Sequence, residues 1–174
     1  MFVVDCLEVI RKYFHENNHG FVESQLLIPA RTPVLKQICY GDYEGISVDL
    51  SVANFIAVRN SHLLYHYAMW DWRVRPLVSI IKHWAKSAGI ADPSQKTLSS
   101  YSIELIVIYY LQVFNPSVVP CLQQAYTKIF GARRFSDSRL SYQSLPNLKG
   151  WKDPAVTLSE LLLGFLSFYG LHFE

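Results

Sequence analysis

Cysteine is scarce in this sequence. The 174 residues include three, Cys6, Cys39 and Cys121, and no two of them form a C-x-x-C pair. An odd number of widely spaced cysteines argues against the disulfide framework that holds small secreted domains together. We therefore expect free thiols and a protein of the reducing cytoplasm, with the nucleus as the alternative compartment.

The sequence also lacks a large excess of either charge and a long apolar run. Its formal net charge is +2, so any contact with nucleic acid must come from a local patch. The longest apolar run, 103–114, contains a glutamate and falls short of the roughly 20 residues that cross a bilayer. The first residues lack a basic stretch followed by an apolar one, so we expect no signal peptide there and no membrane partner. The densest basic cluster comprises Arg73, Arg75, Lys82, Lys86 and Lys96.

What the sequence does contain is a clear change of hydrophobic period. Hydrophobic residues make up 51% of the chain, enough for a packed core. Residues 2–14 have the helical period, whereas 24–28, 34–40 and 46–51 alternate as strands do, and the helical period then returns. We predict an α+β fold, with a small antiparallel sheet and a helix in residues 1–58 and an all-helical domain in residues 59–174.

In the last predicted strand, 46–51, alternation places the apolar residues on one face and Asp49 with two serines on the other. Aspartate is disfavoured in strands, so Asp49 is either an ordinary exposed residue or part of a site. Asp42 and Glu44 lie in the glycine-bounded turn before this strand, and we interpret them as turn residues.

Two predicted helices joined by a polar loop lie between residues 75 and 112. Lys82 and Lys86 are four residues apart and point the same way, and Gly89 is expected to end the first helix. A cationic helix face next to a hydroxyl-rich helix N-terminus could receive an anionic ligand; the alternative is a solvated face beside ordinary caps. The residues that could cap the second helix are Thr97, Ser99 and Ser100.

Histidines occur at two places with the spacing of a metal site. His62 and His66 are four residues apart among aromatic residues, and we predict partly buried structural histidines rather than ligands. The H-E-x-x-H pattern at 15–19 falls where asparagines and a glycine end a helix, so a metalloprotease is not expected. Asn60 and Ser61, just before His62, are predicted to cap their helix.

Three segments resemble the cytoplasmic poly(A) polymerases and terminal uridylyltransferases, within the polymerase-β-like nucleotidyltransferases. They are NSHLL at 60–64, RVRPLVSIIKHWAK at 73–86 and TLSSYS at 97–102. The resemblance implies an enzyme that adds nucleotides to an RNA 3′ end without a template, mostly AMP from ATP, using Mg²⁺ or Mn²⁺. It also implies that residues 1–58 are part of a nucleotidyltransferase palm, that residues 59–174 are the central and poly(A)-polymerase-associated domain, and that an RNA-binding protein recruits the substrate.

The resemblance further implies seven site residues. Asp49 matches the third metal-binding aspartate of the family, whose other two form an upstream D-x-D pair that this sequence does not show. We therefore expect a fragment of an active poly(A) polymerase; an inactive paralogue that binds RNA or a partner, and a terminal uridylyltransferase, are the alternatives. The other implied residues are Asn60 and Ser61 for the ribose, Lys82, Lys86 and Ser100 for the triphosphate, and Tyr101 for the stacked base.

Overall fold

The computed structural model describes residues 2–17, 22–28, 32–131 and 140–172. It forms two compact units, Met1–Val58 and Arg59–Glu174. The elements are α1 Phe2–Glu16, β1 Val22–Ile28, β2 Val34–Cys39, β3 Ser47–Leu50, α2 Phe55–Trp70, α3 Val74–Ser87, α4 Ser100–Val113, α5 Leu122–Ala125, α6 Thr127–Phe130 and α7 Leu158–Ser167. The α+β fold class predicted from the change of period is confirmed.

The first unit is helix α1 on a three-stranded antiparallel sheet in the order β1-β2-β3. Alternate residues of β2, namely Leu35, Gln37 and Cys39, are buried, as is Leu7 of α1. This alternation is what a sheet with one covered face requires. A short 3₁₀ turn at Gly41–Tyr43 joins β2 to β3, and Asp42 and Glu44 are exposed there, as expected of turn residues.

The second unit is helical, and its core lies where α3, α4 and α7 meet. Residues one or two turns apart on each helix are buried there, which follows from the helical period of their apolar positions. They include Leu77 and Ile81 of α3, Val107 and Leu111 of α4, and Leu161 and Phe165 of α7. Tyr67 of α2 is also fully buried, and its hydroxyl donates to Gln123 Oε1 at 2.9 Å.

The ends of α3 and α7 follow their sequence signals. Gly89 has a φ of +72°, the N–H of Gly89 donates to Lys86 O and that of Ile90 donates to Ala85 O, so α3 ends in a Schellman motif. Thr157 and Glu160, three residues apart, form a capping box at the start of α7. Both signals involve residues close in sequence, which is why they could be recognised without the structure.

The start of α2 corrects one prediction. Asn60 and Ser61 do not cap this helix, which begins at Phe55. The cap is Asn54, whose Oδ1 accepts a hydrogen bond from Ala57 N at 3.2 Å. Asn54 offers the same capping chemistry one and a half turns earlier, and the apolar residues between Asn54 and Asn60 continue the helix rather than precede it.

The region after α4 contains two short helices, α5 and α6, over residues 122–130. His19 of the H-E-x-x-H pattern and the arginines at 133, 134 and 139 lie outside the described residues. All three cysteines are free thiols, as predicted. Among the described residues, no helix combines the length and the hydropathy needed to span a bilayer.

Candidate functional site

The packing of α3 against α4 brings Lys82 to Glu104. Lys82 Nζ donates to Glu104 Oε1 at 2.7 Å, with side chains 35% and 18% exposed. Glu104 is not among the site residues predicted from the sequence. Its signal was a lone carboxylate in an otherwise apolar run, which does not by itself reveal a partner 22 positions away on another helix.

Ser100 and Tyr101 lie on the same side of α4 as Glu104, because residues three and four apart on a helix are neighbours. Tyr101 is half-buried, and its burial, followed by the negative charge of Glu104, raises the pKa of its phenol. An aromatic ring that keeps part of its surface exposed can stack on a base, which a fully buried core tyrosine cannot. The structure thus groups Lys82, Glu104, Ser100 and Tyr101.

The first turn of α4 resolves which hydroxyl forms the cap. Ser99 is the N-cap, and its Oγ accepts from Ser102 N at 3.0 Å and lies 2.8 Å from Ser102 Oγ. Thr97 instead closes the preceding loop on Asp92. The Ser100 side chain is exposed and is not the cap, so its hydroxyl can reach a ligand.

Lys86 lies one turn beyond Lys82 on the same stripe of α3 and is exposed. In the part of the chain that the structure describes, it has no ion-pair partner. Lys82, Lys86 and Glu104 together carry two positive charges and one negative charge, so this face has a net positive charge. Such a face attracts a phosphate group.

Asn60 lies on α2. It is half-buried and lines a cavity of about 260 Å³, whereas Ser61 beside it is exposed. The wall opposite α2 comes from α5, α6 and the residues that follow. The lining residues are Arg59, Asn60, His62, Leu63, Gln123, Ile129, Phe130, Gly131 and Leu140.

His62 and His66 are structural, as their aromatic surroundings predicted. Both are 2% exposed, and their Nε2 atoms lie 2.6 and 3.0 Å from the carbonyl oxygen of Ser141. The rings contact Phe130, and that of His62 also contacts Tyr142. Burial lowers the pKa of His66, partly opposed by the hydrogen bond to Ser141, so this imidazole is neutral at pH 7. The pair ties α2 to the segment at 141–142.

Arg73 was predicted to belong to the basic cluster, but it is buried in the structure. Its side chain is 4% exposed, and its guanidinium binds the Asp71 carboxylate through Nε at 2.9 Å and Nη2 at 2.6 Å. Asp153 and the carbonyl oxygens of Pro154 and Val156 accept its other hydrogen bonds. These contacts, those of Asp71 above all, raise the pKa of Arg73. Arg73 therefore holds the fold together and cannot contact RNA.

Asp49 belongs to the first unit. It is exposed on β3 and pairs in register with Lys36 of β2, so the two side chains share a face. Val48 and Leu50 point to the other face, as the alternation predicted. Asp49 is thus available to a ligand. Its structural alternative is a cross-strand charge pair with Lys36, which is worth little on an exposed surface.

The carboxylates that the structure describes do not by themselves form a two-metal centre. Within the described residues, no group of three or more histidine, cysteine, aspartate or glutamate side chains could hold a metal ion. Asp49 can supply one oxygen ligand of the kind that Mg²⁺ prefers.

Comparison with known proteins gives this geometry a context. A family model described as the central palm domain of mitochondrial-like poly(A) RNA polymerases matches residues 3–69. The poly(A) RNA polymerase gld-2 of Caenorhabditis elegans is 41% identical over 158 residues, which are 88% of this chain and 14% of that protein. Human poly(A) RNA polymerase GLD2 is 36% identical over 170 residues, 97% of this chain and 34% of that protein. The chain belongs to the poly(A) RNA polymerase and terminal nucleotidyltransferase family.

Solved structures of the family agree with the fold. GLD-2 in its complex with RNP-8 matches with a TM-score of 0.82 and 37% identity, over 99% of this chain and 53% of that chain. A structure of the Cid1 poly(U) polymerase matches with a TM-score of 0.70 and 30% identity, over 97% of this chain and 51% of that chain. The chain therefore spans about half of these family structures and 14–34% of the two relatives compared.

Proposed function

We propose that this chain is part of a template-independent RNA 3′-end nucleotidyltransferase that adds AMP from ATP. The observation that carries the proposal is the contact of Lys82 of α3 with Glu104 of α4, which lies one helical turn from the exposed Ser100 and the half-buried ring of Tyr101, while the exposed Lys86 lies one turn from Lys82 on α3. Lysine ammonium groups suit phosphate as mobile point charges, and an aromatic face accepts a base without reading its edge. The sequence resemblance implies these roles, with Lys82, Lys86 and Ser100 proposed for the triphosphate and Tyr101 for the base.

Adenylyl transfer is preferred over uridylyl transfer because relatives named poly(A) RNA polymerase are 36–41% identical to the chain, whereas the Cid1 poly(U) polymerase structure is 30% identical. Asn60 and Ser61 are the proposed ribose contacts. Asp49 is the proposed catalytic ligand for a divalent metal, Mg²⁺ or Mn²⁺. In this class of reaction the metal stabilises the attacking and leaving oxygens of an in-line displacement.

We further propose a protein partner and a cytoplasmic location. Family structures include GLD-2 with RNP-8 and GLD-2 with GLD-3, so relatives of this chain form protein complexes. The net charge of +2 supports recruitment of RNA by such a partner, since this charge is small for a protein that binds nucleic acid by itself. The free thiols are consistent with a reducing compartment.

The first test is ATP binding by the chain, measured by calorimetry with and without Mg²⁺. Lys82→Met and Lys86→Met should each weaken ATP binding roughly ten-fold, because each removes a charge-assisted contact to phosphate. Lys149→Met removes the same charge from an exposed loop and should leave the affinity unchanged. Equal ATP affinity for all four proteins would contradict the proposed site, and tighter binding of UTP than of ATP would favour the uridylyltransferase alternative.

The second test addresses the reaction. A longer protein that contains this chain should extend an oligo(A) primer with ATP and Mg²⁺, and Asp49→Ala should slow extension by roughly a hundred-fold or more. Asp42→Ala, in the neighbouring turn, should keep the rate. If extension does not occur while ATP still binds, the chain belongs to a nucleotide-binding module rather than to a polymerase. If Asp49→Ala keeps the rate, Asp49 is not the metal ligand.

A further inference from the structure

Glu104 introduces a negative charge among the residues that we assign to the triphosphate and the base. Its carboxylate accepts from Lys82 at 2.7 Å and is 18% exposed, so water screens it less than a fully solvated group. It also lies one helical turn from Ser100 and Tyr101, and its charge contributes to the raised pKa of Tyr101. The influence of Glu104 thus reaches both the lysine and the aromatic ring.

The charge balance of this face follows directly. Lys82 and Lys86 present two positive charges to a ligand, and Glu104 cancels one of them. A triphosphate must therefore compete with the carboxylate for the Lys82 ammonium and is repelled by the carboxylate itself. The repulsion grows with the negative charge of the ligand, and a divalent cation bound to the triphosphate lowers that charge by two.

We propose that Glu104 is a counter-charge that weakens binding of metal-free polyphosphate by the α3 lysines and so selects a triphosphate that carries a divalent metal. The proposal rests on the function proposed above. Glu104 acts through Lys82 and through its own field, as a positioning and specificity residue. The same repulsion disfavours retention of a released, highly charged pyrophosphate.

Glu104→Gln tests the proposal, because glutamine keeps the size of the side chain and an oxygen that can accept from Lys82 while losing the charge. Calorimetry on the full chain should show tighter ATP binding in EDTA by roughly three- to ten-fold, the expected size for removing one partly screened charge a few ångströms from a phosphate. In excess Mg²⁺ the gain should be smaller. Glu44→Gln removes the same charge from the exposed hairpin turn and should change neither affinity.

ATP binding by Lys82→Met shows whether a negative result concerns the role of Glu104 alone or the proposed nucleotide site as a whole. If Lys82→Met weakens ATP binding and Glu104→Gln leaves it unchanged, the nucleotide site stands and the role of Glu104 is overturned. Weaker binding by Glu104→Gln, or an equal gain with and without Mg²⁺, would also overturn it, since either result would point to a structural effect. If Lys82→Met binds ATP as the unmodified chain does, the nucleotide site is wrong and both proposals are overturned.

Discussion

Arg73 and Lys82 belong to the same cluster of positive charges in the sequence, and the structure gives them opposite roles. Arg73 is 4% exposed and fixed by two carboxylates and two carbonyl oxygens. Lys82 is 35% exposed and has one carboxylate partner, Glu104. The first ion pair is structural, since a buried guanidinium needs every N–H satisfied. The second is accessible, so a ligand can displace its carboxylate.

The largest expected effect in this contrast is on stability. Arg73→Met should lower the free energy of unfolding by about 3–5 kcal/mol, because it leaves Asp71, which is 8% exposed, as an uncompensated buried charge. The same substitution at Lys82 should cost about 1 kcal/mol or less, because its pair is partly exposed and screened. Chemical denaturation followed by circular dichroism measures both values.

The double variant Asp71→Asn/Arg73→Met tests whether the unpaired Asp71 carboxylate causes the loss of stability. Removing both charges should recover part of the stability lost in Arg73→Met alone, since the unpaired carboxylate is then gone. A large loss for Lys82→Met would contradict the comparison, because it would mean that the Lys82 pair is as structural as that of Arg73.

The features that were predicted correctly from the sequence are those that depend on neighbouring residues. The face of Asp49 and the stripe of Lys82 and Lys86 were predicted correctly, and each depends only on the local period of a strand or helix. The end of α3 at Gly89 belongs to the same class, because a C-cap involves only neighbouring residues.

Two of the errors, at Arg73 and at Glu104, share a cause, which is contact between distant segments. Nothing near Arg73 in the sequence indicates that Asp153 and Val156, some 80 residues later, complete its hydrogen bonds. The pairing of Lys82 with Glu104 likewise exists only because α3 packs on α4. The prediction of the α2 cap was wrong for another reason. Asn54 and Asn60 are equally good caps by residue type, and only the structure decides between them.

A smaller effect on stability is expected at His66, which is buried and neutral, whereas Arg73 is buried and charged. His66 is as buried as Arg73 but has no carboxylate partner in the described contacts of its ring, and burial lowers its pKa below the ordinary value of about 6.5. The unfolded chain therefore binds a proton at a higher pH than the folded chain. Its contribution to stability is complete above about pH 6.5 and is lost as the pH falls toward the lowered pKa.

Denaturation at a series of pH values between about 7 and 5 tests this expectation. The free energy of unfolding should fall with acidification, and His66→Gln should flatten that fall, because glutamine keeps an N–H for the Ser141 carbonyl without titrating. His15→Gln, on exposed α1, should retain the dependence of the unmodified chain. If His66→Gln and the unmodified chain showed the same dependence of unfolding free energy on pH, protonation of His66 would not destabilise the folded protein. The lack of a carboxylate partner would then not distinguish His66 from Arg73.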